Sequence, residues 1–242
     1  RRTKVKEPIK VFIGYDHAEA VAYHTLCHSI MTKASVPVSI TPICLDNLKD
    51  IFNRKKDEKQ SNAFSFSRFL VPYLCGYKGQ AIFMDCDMLL RTDIAELFEH
   101  FEYYYAVQVV KHDYIPKDEK KYLDNVQHVY EKKNWSSVML FNCGHHHTRR
   151  LTPEYVNTAS GLELHQFKWT EEERIGEIPK EWNWLVGEYG VNSDAKIVHY
   201  TIGTPCFYEY EDCDYSEEWK EQYRDMNHCD QIFMPQIRAS AK

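Results

Sequence analysis

The sequence predicts an α/β protein built on one domain, with a mostly parallel central sheet flanked by helices. Three observations carry that prediction. Short apolar runs of β character recur along the chain, segments of helical apolar spacing lie between them, and 242 residues suffice for one sizeable core. In such sheets ligands settle at the carboxyl ends of the strands. Asp16 and Asp85 both follow predicted strands.

The first strand is Lys10-Val11-Phe12-Ile13, stopped by Gly14-Tyr15-Asp16, and residues 17 to 31 follow with apolar positions at helical spacing. Val36 to Leu45, with edge prolines at 37 and 42, reads as the second strand. The charged stretch Lys49 to Gln60 has no core pattern and is expected to be a surface loop. Phe66, Phe69, Leu70, Tyr73 and Leu74 fit an amphipathic helix over Phe64 to Cys75 despite Pro72. Gly76 and Gly79 then break the chain before the buried strand Ala81-Ile82-Phe83-Met84. Asp93 and Glu96 have the spacing of a capping box, so a helix is expected there. Tyr104 to Val110 and Ser137 to Phe141 read as strands around the polar insertion Lys111 to Asn134. Residues 152 to 160 and 216 to 224 read as helices, and Ala195 to Tyr200 as a late strand. This reading divides the chain into a polar N-terminal segment (1-9), one domain (10-226) and a C-terminal tail (227-242).

A formal charge of -6 with no long basic run argues against nucleic acid as a partner, since phosphates call for clustered Lys and Arg. No apolar run reaches the ~20 residues of a membrane span and the start is polar, so a cytoplasmic protein with no transmembrane segment is expected. The absence of an initiating Met sets the further expectation that additional domains accompany this one in a longer protein. Cysteines at 27, 44, 75, 86, 143, 206, 213 and 229 show no paired metal-binding spacing and are expected to be reduced. The run His145-His146-His147 cannot easily converge on one ion and is read as a loop near the acceptor.

The chemistry concentrates at Asp85-Cys86-Asp87. In an extended chain alternate residues share a side, so the two carboxylates face one way and Cys86 the other. Two hard oxygen donors suit Mg²⁺ or Mn²⁺. Such an ion offsets the negative charge that develops on a diphosphate leaving group. The competing reading of aspartates after a strand is a turn or a helix cap. Arg68 on the preceding helix and His199-Tyr200-Thr201-Ile202-Gly203 at the late strand's end weigh toward a site.

The segments Val11-Phe12-Ile13-Gly14-Tyr15-Asp16, Ser67-Arg68-Phe69-Leu70-Val71-Pro72-Tyr73 and Phe83-Met84-Asp85-Cys86-Asp87-Met88-Leu89 come first. Phe141-Asn142-Cys143-Gly144, Ile178-Pro179-Lys180-Glu181-Trp182-Asn183 and Val198-His199-Tyr200-Thr201-Ile202-Gly203 follow. In this order they resemble glycosyltransferase family 8, the glycogenin and lipopolysaccharide galactosyltransferase group, and its bacterial relatives. The resemblance implies a single GT-A (Rossmann-like) domain and a metal-dependent glycosyltransferase. Such an enzyme moves a hexosyl or deoxyhexosyl group from a nucleotide sugar, UDP-linked, to a glycan, polysaccharide or other hydroxyl acceptor with retention of anomeric configuration. It further implies that Asp85, Asp87 and His199 hold Mn²⁺ or Mg²⁺. Gly14, Tyr15, Asp16, Arg68, Asp85, Cys86, Gly203 and Thr204 would bind the donor. Asn142 would face the transferred sugar, and Glu172 and Asn183 would complete the catalytic set, with Glu172 beneath the anomeric carbon.

The chain departs from the family's pattern at three places. Glu19 stands where an aromatic residue stacks on uracil, Gly203-Thr204-Pro205 replaces a Lys before a Pro, and Glu171-Glu172-Glu173 replaces Asp-Gln-Asp. Two other readings stay open on sequence grounds. A haloacid-dehalogenase-like phosphatase also carries a strand followed by Asp-x-Asp, though normally on its first strand, and the altered residues are compatible with a catalytically inactive nucleotide-sugar-binding domain.

Overall fold

A computed structural model describes residues 7–55, 62–113 and 131–228. In chain order its strands are β1 (Ile9–Gly14), β2 (Val38–Ile43), β3 (Gln80–Met84), β4 (Met88–Leu90), β5 (Val107–Val109), β6 (Val138–Asn142), β7 (Ile175–Glu177), β8 (Trp184–Leu185) and β9 (Ile197–His199). The α-helices are α1 (Ala20–Lys33), α2 (Val71–Leu74), α3 (Ile94–Phe98), α4 (Pro153–Thr158), α5 (Gly161–His165) and α6 (Ser216–Met226).

The main sheet has the order β2-β1-β3-β6-β5-β7. Its strands pair in parallel except on either side of β6, so five of the six run one way and β6 alone is reversed. The sheet is therefore mostly parallel. Val11, Ile13, Ile82, Phe83 and Met84 are fully buried, as expected of central strands covered on both faces. Helix α1 turns Ala22, Tyr23, Leu26, Cys27 and Ile30 inward at helical spacing. A smaller sheet, β4-β9-β8, packs its own cluster of Leu89, Val186, Val198, Tyr200 and Trp219.

The structure corrects three local expectations. The strand over 138–142 runs against its neighbours: β6 begins beside the ends of β5 and β3, Val109 registering with Met139 and Met84 with Val138. The helix expected over Phe64 to Cys75 is a 3₁₀ turn at Ser67–Leu70 running into the four residues of α2. Pro72 sits in the first turn of α2, where a missing N–H costs no helical bond. At α3, Asp93 does cap the helix by accepting from the Ala95 amide at 2.9 Å. Glu96, however, turns to the Thr92 hydroxyl and the Lys196 ammonium, so the reciprocal half of the capping box does not form. A complete capping box forms instead at α5, between Ser160 and Glu163.

Residues 56–61 of the charged loop, 114–130 of the polar insertion, and Cys229 lie outside the described residues. The seven described cysteines are free thiols. No described helix is long and apolar enough to cross a membrane.

Candidate metal and donor site

Asp85-Cys86-Asp87 is the link between the two sheets. Asp85 continues β3, its amide donating to the Ser137 carbonyl at 2.9 Å at the start of β6. Asp87 leads into β4, and its carbonyl accepts from the Tyr200 amide at 2.8 Å. Because Met88 registers with His199 across β4 and β9, the late-strand histidine is delivered to the same place. One ligand atom from each of Asp85, Asp87 and His199 lies within 4.8 Å of the other two; Asp85 and His199 are buried and the Asp87 side chain is 14% exposed. His199 Nε2 is 3.2 Å from Asp87 Oδ1. An octahedral ion with bonds near 2.1 Å places adjacent ligands about 3 Å apart, so the set fits a divalent cation.

The residues behind the triad hold it in register. The Asn183 amide oxygen lies 2.9 Å from His199 Nδ1, while its Nδ2 donates to the Asn134 carbonyl at 3.2 Å. An amide oxygen only accepts, so Nδ1 carries the proton and Nε2 presents its lone pair to the site. Arg68 ion-pairs with Asp85 at 2.7 Å, with side-chain exposures of only 4% and 9%. The guanidinium also donates to the Ser136 carbonyl at 3.0 Å and lies 5.0 Å from the Phe83 ring centroid. His112 Nδ1 meets the Tyr189 hydroxyl at 2.9 Å, and burial first, then the charges of His199 and Lys180, push its pKa down to about 3. It is a neutral imidazole at physiological pH.

Asn183→Ala is expected to lower Mn²⁺ affinity about 10- to 100-fold by releasing the His199 ring, whereas Asn183→Asp, which keeps an acceptor, is expected to lose less. Calorimetric titration with Mn²⁺ reads this directly. Equal affinity in Asn183→Ala and the parent would reduce Asn183 to a packing residue.

One relative decides the family. Over 229 residues the chain is 44% identical to Protein CDI of Arabidopsis thaliana, covering 92% of this chain and 88% of that protein. The chain belongs to the family of Protein CDI. No protein-family model matches this CDI-family chain. Its fold matches those of solved GT-A glycosyltransferases. The bifunctional glycosyltransferase WbbM superposes with a TM-score of 0.61 at 16% identity, over 91% of this chain and 50% of that one. The galactosyltransferase LgtC, solved with donor and acceptor sugar analogues, gives 0.58 at 9% identity over 91% and 97%. The glycosyltransferase GlyE of Streptococcus pneumoniae gives 0.60 at 12% identity over 90% and 60%. The chain thus spans half the length of WbbM and less than two thirds of GlyE. The Asp-x-Asp of the CDI-family chain follows the third strand of this fold, whereas the phosphatase reading normally has it on the first.

The remaining predicted residues divide into those at this end of the sheet and those elsewhere. Tyr15 and Asp16 follow β1 on the Asp85 side, but both Asp16 oxygens already accept backbone amides, from Ala18 at 3.0 Å and Ala63 at 2.9 Å. Gly14 and Gly203 are glycines for packing, since a Cβ would lie 2.2 Å from the rings of Phe64 and Tyr210 respectively. Thr204 is fully buried, its hydroxyl 3.0 Å from the Cys206 sulfur. Cys86, named among the donor-binding residues, is fully buried with its thiol 3.8 Å from buried Glu19, so its side chain is not offered to a donor.

Three predicted site residues need correction. Asn142 registers with Gln80, the first residue of β3, roughly 16 Å along the strand from Asp85, because β6 is reversed. Its amide donates to the Tyr103 carbonyl and lines a separate cavity of about 800 Å³ with His145 and His146. Glu172 is 60% exposed and pairs with Lys132 at 2.5 Å, ahead of the first residue of β7 instead of at a strand's carboxyl end. Asn183 is fully buried and acts through His199. Sequence reasoning missed Asn134, whose carbonyl anchors Asn183, and Glu188, a buried carboxylate in the loop after β8. A signal for Glu188 was present, since a carboxylate between Gly187 and Gly190 follows an apolar run much as Asp85 does. Lys180 stood in a quoted segment with no role of its own.

Proposed function

We propose that this CDI-family chain is a metal-dependent glycosyltransferase. It moves a hexosyl or deoxyhexosyl group from a UDP-sugar to a glycan or other hydroxyl acceptor, with retention of anomeric configuration. The triad of Asp85, Asp87 and His199, set at the junction of two sheets in a GT-A fold, carries the reading. In the reaction the bond from the anomeric carbon to the diphosphate breaks, a bond to the acceptor oxygen forms, and the acceptor's proton is released. When bound, Mn²⁺ or Mg²⁺ supplies positive charge against the departing diphosphate, and the imidazole donor favours Mn²⁺.

The chain's own residues prepare that site. Arg68 neutralises Asp85 from behind, and Asn183 fixes the tautomer of His199. Lys180, exposed and poised 3.6 Å over the Tyr189 ring, reaches His112 with its charge. It is our candidate for a phosphate contact in place of the lysine missing from Gly203-Thr204-Pro205. Tyr15 is the candidate ring for the base. Glu188 replaces Glu172 as the candidate carboxylate beside the reacting carbon.

Incubating the protein with a panel of UDP-sugars and Mn²⁺ is expected to release UDP from at least one of them. Excess chelator should abolish the release, and proton NMR of the first-formed product should show the donor's configuration. A UDP-sugar that stabilises the fold yet yields no UDP with any divalent ion would establish the inactive binding domain instead.

A further inference from the structure

We propose that His17, Cys44 and Asp46 form a second metal site, for a thiophilic divalent ion of the Zn²⁺ class, where β1 and β2 end. This site does not depend on the glycosyltransferase reading. One ligand atom from each of the three residues lies within 4.8 Å of the other two. The arrangement is fixed by backbone: Cys44 directly follows β2, Asp46 sits in the turn Leu45–Asn47, and His17 opens the turn after Asp16. The Tyr15 amide donates to the Ile43 carbonyl at 3.1 Å, tying the two strand ends together.

Distances and partners fit the ion. His17 Nε2 is 3.1 Å from Asp46 Oδ2, whereas Asp46 Oδ1 is held by Lys49 Nζ at 2.9 Å. One carboxylate oxygen thus faces the imidazole while the other is anchored from outside, as for a ligating carboxylate with its supporting partner. The His17 ring is held edge-on by Tyr15, centroids 5.2 Å apart and planes at 86°. Tetrahedral zinc with bonds of about 2.0 to 2.3 Å separates its ligands by roughly 3.3 to 3.8 Å, so the site closes around an ion with small side-chain motion.

An exposed ion pair explains part of this arrangement but not all of it. His17 and Asp46, with side chains 74% and 57% exposed, form a pair of the kind that contributes little to stability. That pair does not engage the Cys44 sulfur, which the end of β2 sets within reach of both. Thiolate, imidazole and carboxylate together select zinc-class ions over Mg²⁺. The triad at Asp85 contains no sulfur, which separates the two sites chemically. Three protein ligands leave one position open, as in sites that take a further ligand or water.

The test uses the reduced, full chain titrated with Co²⁺ and Zn²⁺. Co²⁺ is expected to produce a near-ultraviolet sulfur-to-metal charge-transfer band in the parent protein. The band should persist in Asp87→Asn and vanish in Cys44→Ser. In the Asp87→Asn background, adding Cys44→Ser or His17→Ala is expected to weaken Zn²⁺ binding at least ~10-fold by calorimetry. A parent protein without the band at saturating Co²⁺ would overturn the proposal, as would a band that survives Cys44→Ser. The altered side chains are exposed or half-buried, and thermal unfolding of each variant checks that it remains folded.

Discussion

Asp87→Asn is expected to lower turnover by about 10³ or more while leaving the fold intact. The substitution keeps the shape of the side chain and an oxygen, but removes one of two negative charges from a three-ligand set. The backbone role of Asp87, accepting from the Tyr200 amide, is untouched. Without metal the variant should unfold at the parent's temperature or slightly above it, because Asp85 loses a like-charged neighbour. With Mn²⁺ the parent should be stabilised and the variant should not, since an ion that binds only the native state raises its stability by mass action. Activity assays and thermal unfolding with and without Mn²⁺ give both readings. Turnover within tenfold of the parent, together with an undiminished Mn²⁺ effect, would take Asp87 out of the metal shell.

Arg68→Ala is expected to destabilise the chain by about 3–5 kcal/mol, the cost of leaving one partner of a buried ion pair alone. For a chain of this size that corresponds to a fall of roughly 10 °C in the midpoint of unfolding. The structure gives the reason: the guanidinium is enclosed by Phe64, Phe83, the Ser136 carbonyl and Asp85. Donor contact was the role implied for Arg68 by family resemblance, but its 4% exposure makes it first the counter-charge of Asp85. Adding Asp85→Asn to Arg68→Ala should restore part of the stability, because no buried charge is then left unpaired. An unchanged midpoint in Arg68→Ala would show that Asp85 is stabilised by other means.

What was legible in the sequence follows from the physics of each element. β1 and β3 are short continuous apolar runs ended by Gly14 and Asp85, and such runs announce central strands. The triad was legible because both halves lie at ends of apolar strands, and the fold needed only to bring them together. Asn142 misled because a strand's direction is not written in its composition. Val138 to Asn142 is equally apolar in either orientation, yet reversal carries its last residue to the far side of the sheet. Asn183 and Arg68 were recognised as belonging to the site, but not how. Whether a polar side chain touches a substrate or braces another ligand depends on burial, and both are enclosed by residues distant in sequence. Glu188 escaped because its loop follows β8, whose pairing of Leu185 with His199 brings that part of the chain beside β9.

The three-residue link between the sheets has a mechanical consequence. Asp85 is fastened to the large sheet through Ser137, whereas Asp87 and His199 are fastened to the small one through β4 and β9. An ion shared by all three closes a short ring across the seam, so part of its binding energy resists separation of the layers. The small sheet, with its compact cluster around Trp219, would then be less free to open apart from the large one. Loading the site would make it a cooperative extension of the larger core.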